Sequence, residues 1–166
     1  MMNVALSLAK LSGALLPQVV TLEQESFALP WTFEQLEAEL TRETNFSFAL
    51  INADSNDENL VAYVVARHVA EELHILTLGV HPTWRRQGCG AQLLQQLLLE
   101  AESAGVRLAL LEVRVSNTAA QKLYQKLDFN FSGMRRGYYS DNGEDAQLLS
   151  KELDPSSRTI EEEALV

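Results

Sequence analysis

Cysteine is almost missing from this sequence: Cys89 is the only one in 166 residues. A lone thiol excludes an intrachain disulfide and a multi-cysteine zinc site and fits a reducing compartment, so a cytoplasmic location is expected. Basic residues are the minority, 13 lysines and arginines against 23 acidic residues, for a formal net charge of −10. A polyanion-binding protein needs a basic face to release counterions, so no direct nucleic-acid partner is expected and cationic partners suit the chain better. Long uninterrupted apolar runs are missing too. The apolar opening MMNVALSLAKLSGALLPQ has no basic leader and is broken by Lys10, Ser12, Pro17 and Gln18, so neither a signal peptide nor a membrane span is expected. His68, His74 and His81 lack metal-ligand spacing and acidic or cysteine companions, and no metal is expected.

What is present is a chain of one-domain size, 46% hydrophobic, with no internal repeat. Its composition changes after Leu153, so a single domain over residues 1–153 is expected, followed by a loose acidic tail, DPSSRTIEEEALV, over 154–166. After a short first strand, residues 15–27 read as a helix. Beyond Pro30-Trp31, Thr32 and Gln35 form a capping box for a second helix to about Arg42. Residues 46–52 and 60–68 read as a hairpin around ADSNDEN, and 72–80 as a third strand. Leu94, Leu97, Leu98 and Ala101 recur at helical spacing, with Gly105 as a left-handed stop. The apolar run 106–115 has the pattern of a strand covered on both faces, and Asn117 caps a helix carrying Ala120, Leu123, Tyr124 and Leu127 on one side. Residues 130–136 and 145–153 close the chain as a hairpin. The sum is a mixed α/β (α+β) sheet.

Between the third strand and the next helix lies RRQGCGAQLL, residues 85–94. The amides of residues 86–91 would leave a helix N-terminus, where an anion is favoured; Gly88 and Gly90 allow close approach to the backbone, and Arg85 and Arg86 add charge. A tight turn with two solvated arginines explains the same residues. Two common nucleotide motifs are excluded. The Rossmann pattern G-x-G-x-x-G would need glycine at Leu93, and no Gly-Lys-Ser/Thr occurs anywhere.

The stretch does match R-x-x-G-x-G, and it resembles the acetyl-coenzyme A pyrophosphate loop of the GNAT N-acetyltransferase superfamily. With LGVHP upstream and LEVRVSNTAAQKLYQKLDFNFSGMRRGYYSDNGEDAQLLSKEL downstream, residues 72–153 resemble the RimI-type ribosomal-protein-alanine N-acetyltransferases. Residues 1–71 match more loosely, through element order and Pro30-Trp31. The resemblance implies the GNAT fold, a central mixed sheet splayed between the strand ending near Val80 and the one holding Glu112. Acetyl-coenzyme A is the implied co-substrate. It would lie along the backbone of Leu78, Gly79 and Val80, with its pyrophosphate on Arg85, Arg86, Gln87, Gly88, Cys89, Gly90 and Ala91, and would also touch Asn117.

Acetyl transfer to an amine needs a proton acceptor for the amine, polarisation of the thioester and a proton for the leaving thiolate. Glu112 interrupts the apolar run LALLEVRV, where desolvation would make it a better proton acceptor; the resemblance makes it the general base. Its plain alternative is a carboxylate facing solvent or paired with Arg114. Tyr124 on a helix's apolar face is ordinarily core packing, whereas the resemblance makes it the general acid. Trp31, Tyr138 and Tyr139 would meet the acceptor, although SDNGEDA also reads as a polar hairpin turn. Cys89 has no activating histidine in its motif and reads as a small filler. The chain departs from the family in carrying Asp128 where glycine usually ends the tyrosine helix. The implied acceptor is a protein N-terminus, alanine of a small-subunit ribosomal protein; a small amine, polyamine or lysine side chain, or a non-catalytic acyl-coenzyme A module, are the alternatives.

Overall fold

Alternating and helical hydrophobic periods resolve into eleven regular elements in a computed structural model of the protein, which describes residues 4–55 and 59–156. They are β1 (Leu6–Lys10), α1 (Leu16–Ser26), α2 (Phe33–Leu40), β2 (Phe48–Asn52), β3 (Asn59–Val69), β4 (Glu72–Val80), α3 (Cys89–Ser103), β5 (Leu108–Arg114), α4 (Thr118–Lys126), β6 (Asn130–Arg135) and β7 (Ala146–Glu152). The strands form one mixed sheet in the order β1-β2-β3-β4-β5-β7-β6. β1–β2, β2–β3, β5–β7 and β6–β7 pair antiparallel, whereas β4 and β5 pair in parallel from Glu72–Leu108 to Ile75–Leu111. Most of the tail anticipated at 154–166, from residue 157 on, lies outside the described residues.

The chain divides into two compact units, the first running to Arg67 with Leu76–Leu94 and the second comprising His68–Ile75 with the chain from Gln95. In the first, α1 buries Leu16, Val19 and Leu22 with Leu36 of α2 against Ala49, Leu60, Tyr63 and Val65. α2 starts where Thr32 and Gln35 predict it: Thr32 Oγ1 accepts from Gln35 N at 3.2 Å, and Gln35 Oε1 accepts from Thr32 N at 2.9 Å. Its far end is held by Glu39, whose Oε2 accepts from Arg67 Nε of β3 at 2.8 Å.

In the second unit, β5 departs from the expected doubly covered strand. Burial alternates along it: Ala109, Leu111 and Val113 are buried, and Leu108, Leu110, Glu112 and Arg114 are half-buried. Glu112 and Arg114 therefore share a partly open row, which is why two charged side chains fit in so apolar a run. α4 begins on Asn117, whose Oδ1 accepts from Ala120 N at 3.1 Å.

α4 ends in paired bonds, Phe129 N to Tyr124 O at 3.0 Å and Asp128 N to Gln125 O at 3.1 Å, with Asp128 left-handed at φ 64°. An L side chain is disfavoured there, and the ion pair Asp128 makes with Lys151, 3.9 Å apart with Asp128 largely exposed, offsets little of that. Asp128→Gly is expected to stabilise the protein by about 0.5–1 kcal/mol, less than the full left-handed penalty because glycine gives up more chain entropy. A denaturant midpoint that falls instead would show that the aspartate side chain contributes more than the backbone strain removes.

Candidate active site

β4 ends at Val80, and the sequence then turns sharply to reach α3. His81 N donates to Val61 O at 2.8 Å, and Pro82–Trp84 makes a single 3-10 turn. Residues 85–88 follow as exposed loop, with Arg86 at φ 60° and Gly88 at φ 79°. An arginine held left-handed costs of order 1 kcal/mol, a strain found where backbone must meet a ligand. The first helical bond runs from Gln92 N to Gly88 O at 2.9 Å, so the amides of Cys89, Gly90 and Ala91 precede the helical ladder. That exposed, glycine-punctuated turn at the start of a 15-residue helix fits the phosphates of a nucleotide-derived cofactor. The two arginines differ in placement. Arg85 donates through Nε to Val80 O at 3.1 Å and through Nη2 to Ser26 Oγ at 3.0 Å, so it braces the turn against β4 and α1. Gln87 does likewise, its Nε2 donating to Thr83 O at 2.8 Å. Arg86, exposed like Arg85, is the one held left-handed in the loop. Cys89 is buried, and burial pushes its thiol up, which suits the filler it was expected to be.

Leu78 and Val80 are half-buried and Gly79 is buried over Tyr63; a Cβ at residue 79 would lie 2.5 Å from Tyr63 Cε1. Trp31 packs on the core of the first unit and donates its backbone N–H to Glu23 Oε2 at 3.1 Å. The same carboxylate, through Oε1, accepts from Tyr63 Oη and from Thr77 Oγ1, both at 2.6 Å.

In the second unit Glu112 is 30% exposed and its Oε1 lies 3.3 Å from Arg135 Nε. The apolar enclosure expected around it is thus absent, and its ionic neighbour is Arg135, not Arg114. Arg114 holds the following loop instead. It forks onto Asp141 (Nη1–Oδ1 3.1 Å, Nη2–Oδ2 3.0 Å), reaches Glu144 Oε2 at 3.3 Å and stacks 3.8 Å above the Tyr139 ring. Tyr138 is exposed and meets Tyr139 edge-on, 5.1 Å between centroids. Tyr124 is 8% exposed and packs edge-on against Phe129 at 5.6 Å. Burial, followed by the neighbouring Tyr139, pushes its phenol up to about 12, so it stays protonated throughout the neutral range.

Glu144 ties this loop to the start of α4: Oε1 accepts from Ser116 N at 2.7 Å. Hydrogen bonds from Ser116, then Arg114 and Asn142, hold the carboxyl at about 2 against an ordinary 4.5. A carboxyl depressed by folding contributes stability above its unfolded value and loses it as pH falls towards the folded one. The wild type is therefore expected to lose stability from pH 4.5 down to about 2 through Glu144, and Glu144→Gln to show a shallower decline in melting temperature over that window. Parallel declines would remove Glu144 from the account.

The structure thus joins Leu78–Val80 to the glycine turn through Arg85, Trp31 to β4 through Glu23, Asn117 to Tyr124 along α4, and Tyr139 to Arg114. Local pattern did not disclose Glu23, Tyr63, Thr77 or Arg114 as participants. One signal was available for Glu23: it recurs with Leu16 and Val19 on the buried face of α1, where an acid is out of place. His74, expected to lack an acidic companion, lies 2.7 Å from Glu72 Oε2. Among the described residues, no group of three or more His, Cys, Asp or Glu is placed to hold a metal ion, and no helix is long and apolar enough to cross a membrane.

Comparison with known proteins matches residues 16–129 to a family model described as the acetyltransferase (GNAT) family. The chain is 36% identical over 137 residues, 81% of its length and 89% of the relative's, to the [ribosomal protein bS18]-alanine N-acetyltransferase of Escherichia coli strain K12. To the protein of the same name from Salmonella typhimurium it is 34% identical over 143 residues, 84% and 93% of the two chains. The crystal structure of the ribosomal-protein-S18-alanine N-acetyltransferase from Escherichia coli superposes with a TM-score of 0.81 at 32% identity, over 90% of this chain and 95% of that one.

Proposed function

This chain belongs to the acetyltransferase (GNAT) family, and on that premise we propose that it moves acetyl from acetyl-coenzyme A to the α-amine of a protein N-terminus, alanine of a small-subunit ribosomal protein. The observation that carries the cofactor is the exposed turn at 85–88 leading into the amides of Cys89–Ala91. Those amides, with Gly88 and the Arg86 and Gln87 segment, receive the pyrophosphate, while Arg85 keeps the turn seated on Val80. The backbone of Leu78, Gly79 and Val80 pairs with the pantetheine arm, and Asn117 touches the cofactor while capping α4. Trp31, Tyr138 and Tyr139 meet the acceptor. The relatives' names support the acceptor, and a net charge of −10 favours the approach of a basic polypeptide. Such a substrate and the lone thiol fit a cytoplasmic location.

Transfer proceeds by direct attack. The neutral amine nitrogen bonds to the thioester carbonyl carbon, its surplus proton passes to Glu112 directly or through water, the carbon–sulfur bond breaks, and Tyr124 protonates the coenzyme A thiolate. A free α-amine has a pKa of about 8, so a carboxylate is a sufficient base at neutral pH. Cys89 takes no part, since a buried thiol is a poor nucleophile.

The reading is tested by offering acetyl-coenzyme A with a peptide beginning in alanine and with a blocked peptide carrying an internal lysine, and locating the acetyl group by mass spectrometry. Modification of the alanine α-amine alone is expected. Preference for lysine or for a polyamine would move the acceptor to a small-amine class, and stoichiometric cofactor binding without any transfer would make the chain a binding module.

A further inference from the structure

The face of α1 that carries Leu16, Val19 and Leu22 into the core also carries Glu23, with no exposed surface at all. A carboxylate removed from water is strongly destabilising unless donors fill its acceptor sites. Three donors do fill it. They come from separate places in the chain: Trp31 N–H from the segment between α1 and α2, Tyr63 Oη from β3, and Thr77 Oγ1 from β4.

Two of these lie on segments to which the function proposed above gives a task, Trp31 towards the acceptor and β4 along the pantetheine. Thr77 immediately precedes Leu78–Val80. Tyr63 sits so close under Gly79 that the β4 backbone rests on its ring, and the hydroxyl of that ring is fixed by Glu23. A second link reinforces the first, because Ser26, three residues further along α1, accepts from Arg85 while Arg85 donates to Val80 O. One end of α1 thus controls both the Trp31 segment and the end of β4.

We propose that Glu23 is a positioning residue for both substrates: its carboxylate fixes the Trp31 segment and the Thr77–Val80 backbone in a single arrangement, so that acceptor-side and donor-side surfaces keep one geometry. The proposal rests on the reading of Trp31 and β4 given above. It explains why this buried face keeps an acid.

Three full-length variants test it. Glu23→Ala removes the acceptor from all three donors, Glu23→Gln keeps the shape and one acceptor oxygen, and Thr77→Val removes one donor at similar volume. Activities are normalised to coenzyme A binding stoichiometry by calorimetry, so that only folded protein is counted. A misplacement of about 1 Å suffices for large kinetic effects, so Glu23→Ala is expected to raise KM for an N-terminal alanine peptide by about tenfold and to weaken coenzyme A several-fold. Glu23→Gln should recover most of both losses, and Thr77→Val should affect coenzyme A more than the peptide. Wild-type KM for both substrates and wild-type kcat in folded Glu23→Ala would overturn the proposal, since a purely structural carboxylate changes the melting temperature alone. If Glu23→Ala does not fold, Thr77→Val decides on the same terms. If the wild type leaves the alanine peptide unmodified, the acceptor reading fails separately. The coenzyme A Kd of the variants then decides about Glu23: a several-fold weakening supports it, and an unchanged Kd overturns it.

Discussion

Tyr124→Phe is expected to lower kcat by about 10²–10³ while leaving the Kd for coenzyme A within about twofold of wild type, because it removes one donor aimed at charge that appears only as the thiolate leaves. The phenol is nine-tenths buried, and burial pushes it up to about 12, so no ionisation competes with donation at neutral pH. Phenylalanine keeps the ring that packs edge-on against Phe129, and the bond from Phe129 N to the residue 124 carbonyl involves backbone alone. The end of α4 should therefore survive, and the melting temperature should hardly move. A tyrosine present only for core packing predicts intact turnover with the melting temperature equally little changed, because the ring that packs is retained. The pH profile adds a second check. A proton donor held at about 12 predicts no loss of kcat from its ionisation between pH 7 and 10. A wild-type kcat in folded Tyr124→Phe would remove the assigned acid.

What was legible in advance was whatever depends on residues close in sequence. Thr32 and Gln35 cap α2 three residues apart, Asn117 caps α4 through Ala120, and the left-handed stop at Asp128 lies where a glycine would be usual. The same applies to Gly88, whose positive φ its residue type allows, but not to Arg86, whose left-handed conformation runs against its residue type. The interactions that arrange the site join distant residues. Glu23 meets Tyr63 and Thr77 across 40 and 54 positions, and Arg114 meets Asp141 and Glu144 across 27 and 30. No local period encodes such a partner. Arg114 illustrates the difference: beside Glu112 in sequence it looks like an ion-pair partner, yet residues two apart on a strand lie in successive places along one row and each finds a neighbour from another strand or loop. The expectation of a strand covered on both faces failed for a related reason. Leucine at 108 and 110 does not reveal that its row is only half covered, whereas the charges at 112 and 114 did carry that signal.

Those charges set up the second large effect. Glu112→Gln is expected to reduce kcat/KM at neutral pH by about 10²–10³, within the range for losing a positioned general base. On the acid side the profile should flatten, because glutamine has no proton to gain; what remains should follow the acceptor α-amine, whose pKa is about 8. The competing explanation is concrete, since Glu112 lies 3.3 Å from Arg135 Nε and could serve only as its ion-pair partner. Arg135 is largely exposed and Glu112 half-buried, and pairs at the surface of this kind contribute about 0–1 kcal/mol. A structural role therefore predicts a small drop in stability with kcat/KM and its pH dependence intact, whereas a base predicts the opposite. Arg135→Gln separates the two further. If the ion pair were what mattered, it would reproduce the Glu112→Gln phenotype; if Glu112 accepts the amine proton, Arg135→Gln should retain most of the turnover, because the carboxylate remains. Matching losses in both variants would return Glu112 to the sheet as a structural residue and leave the transfer without an assigned base.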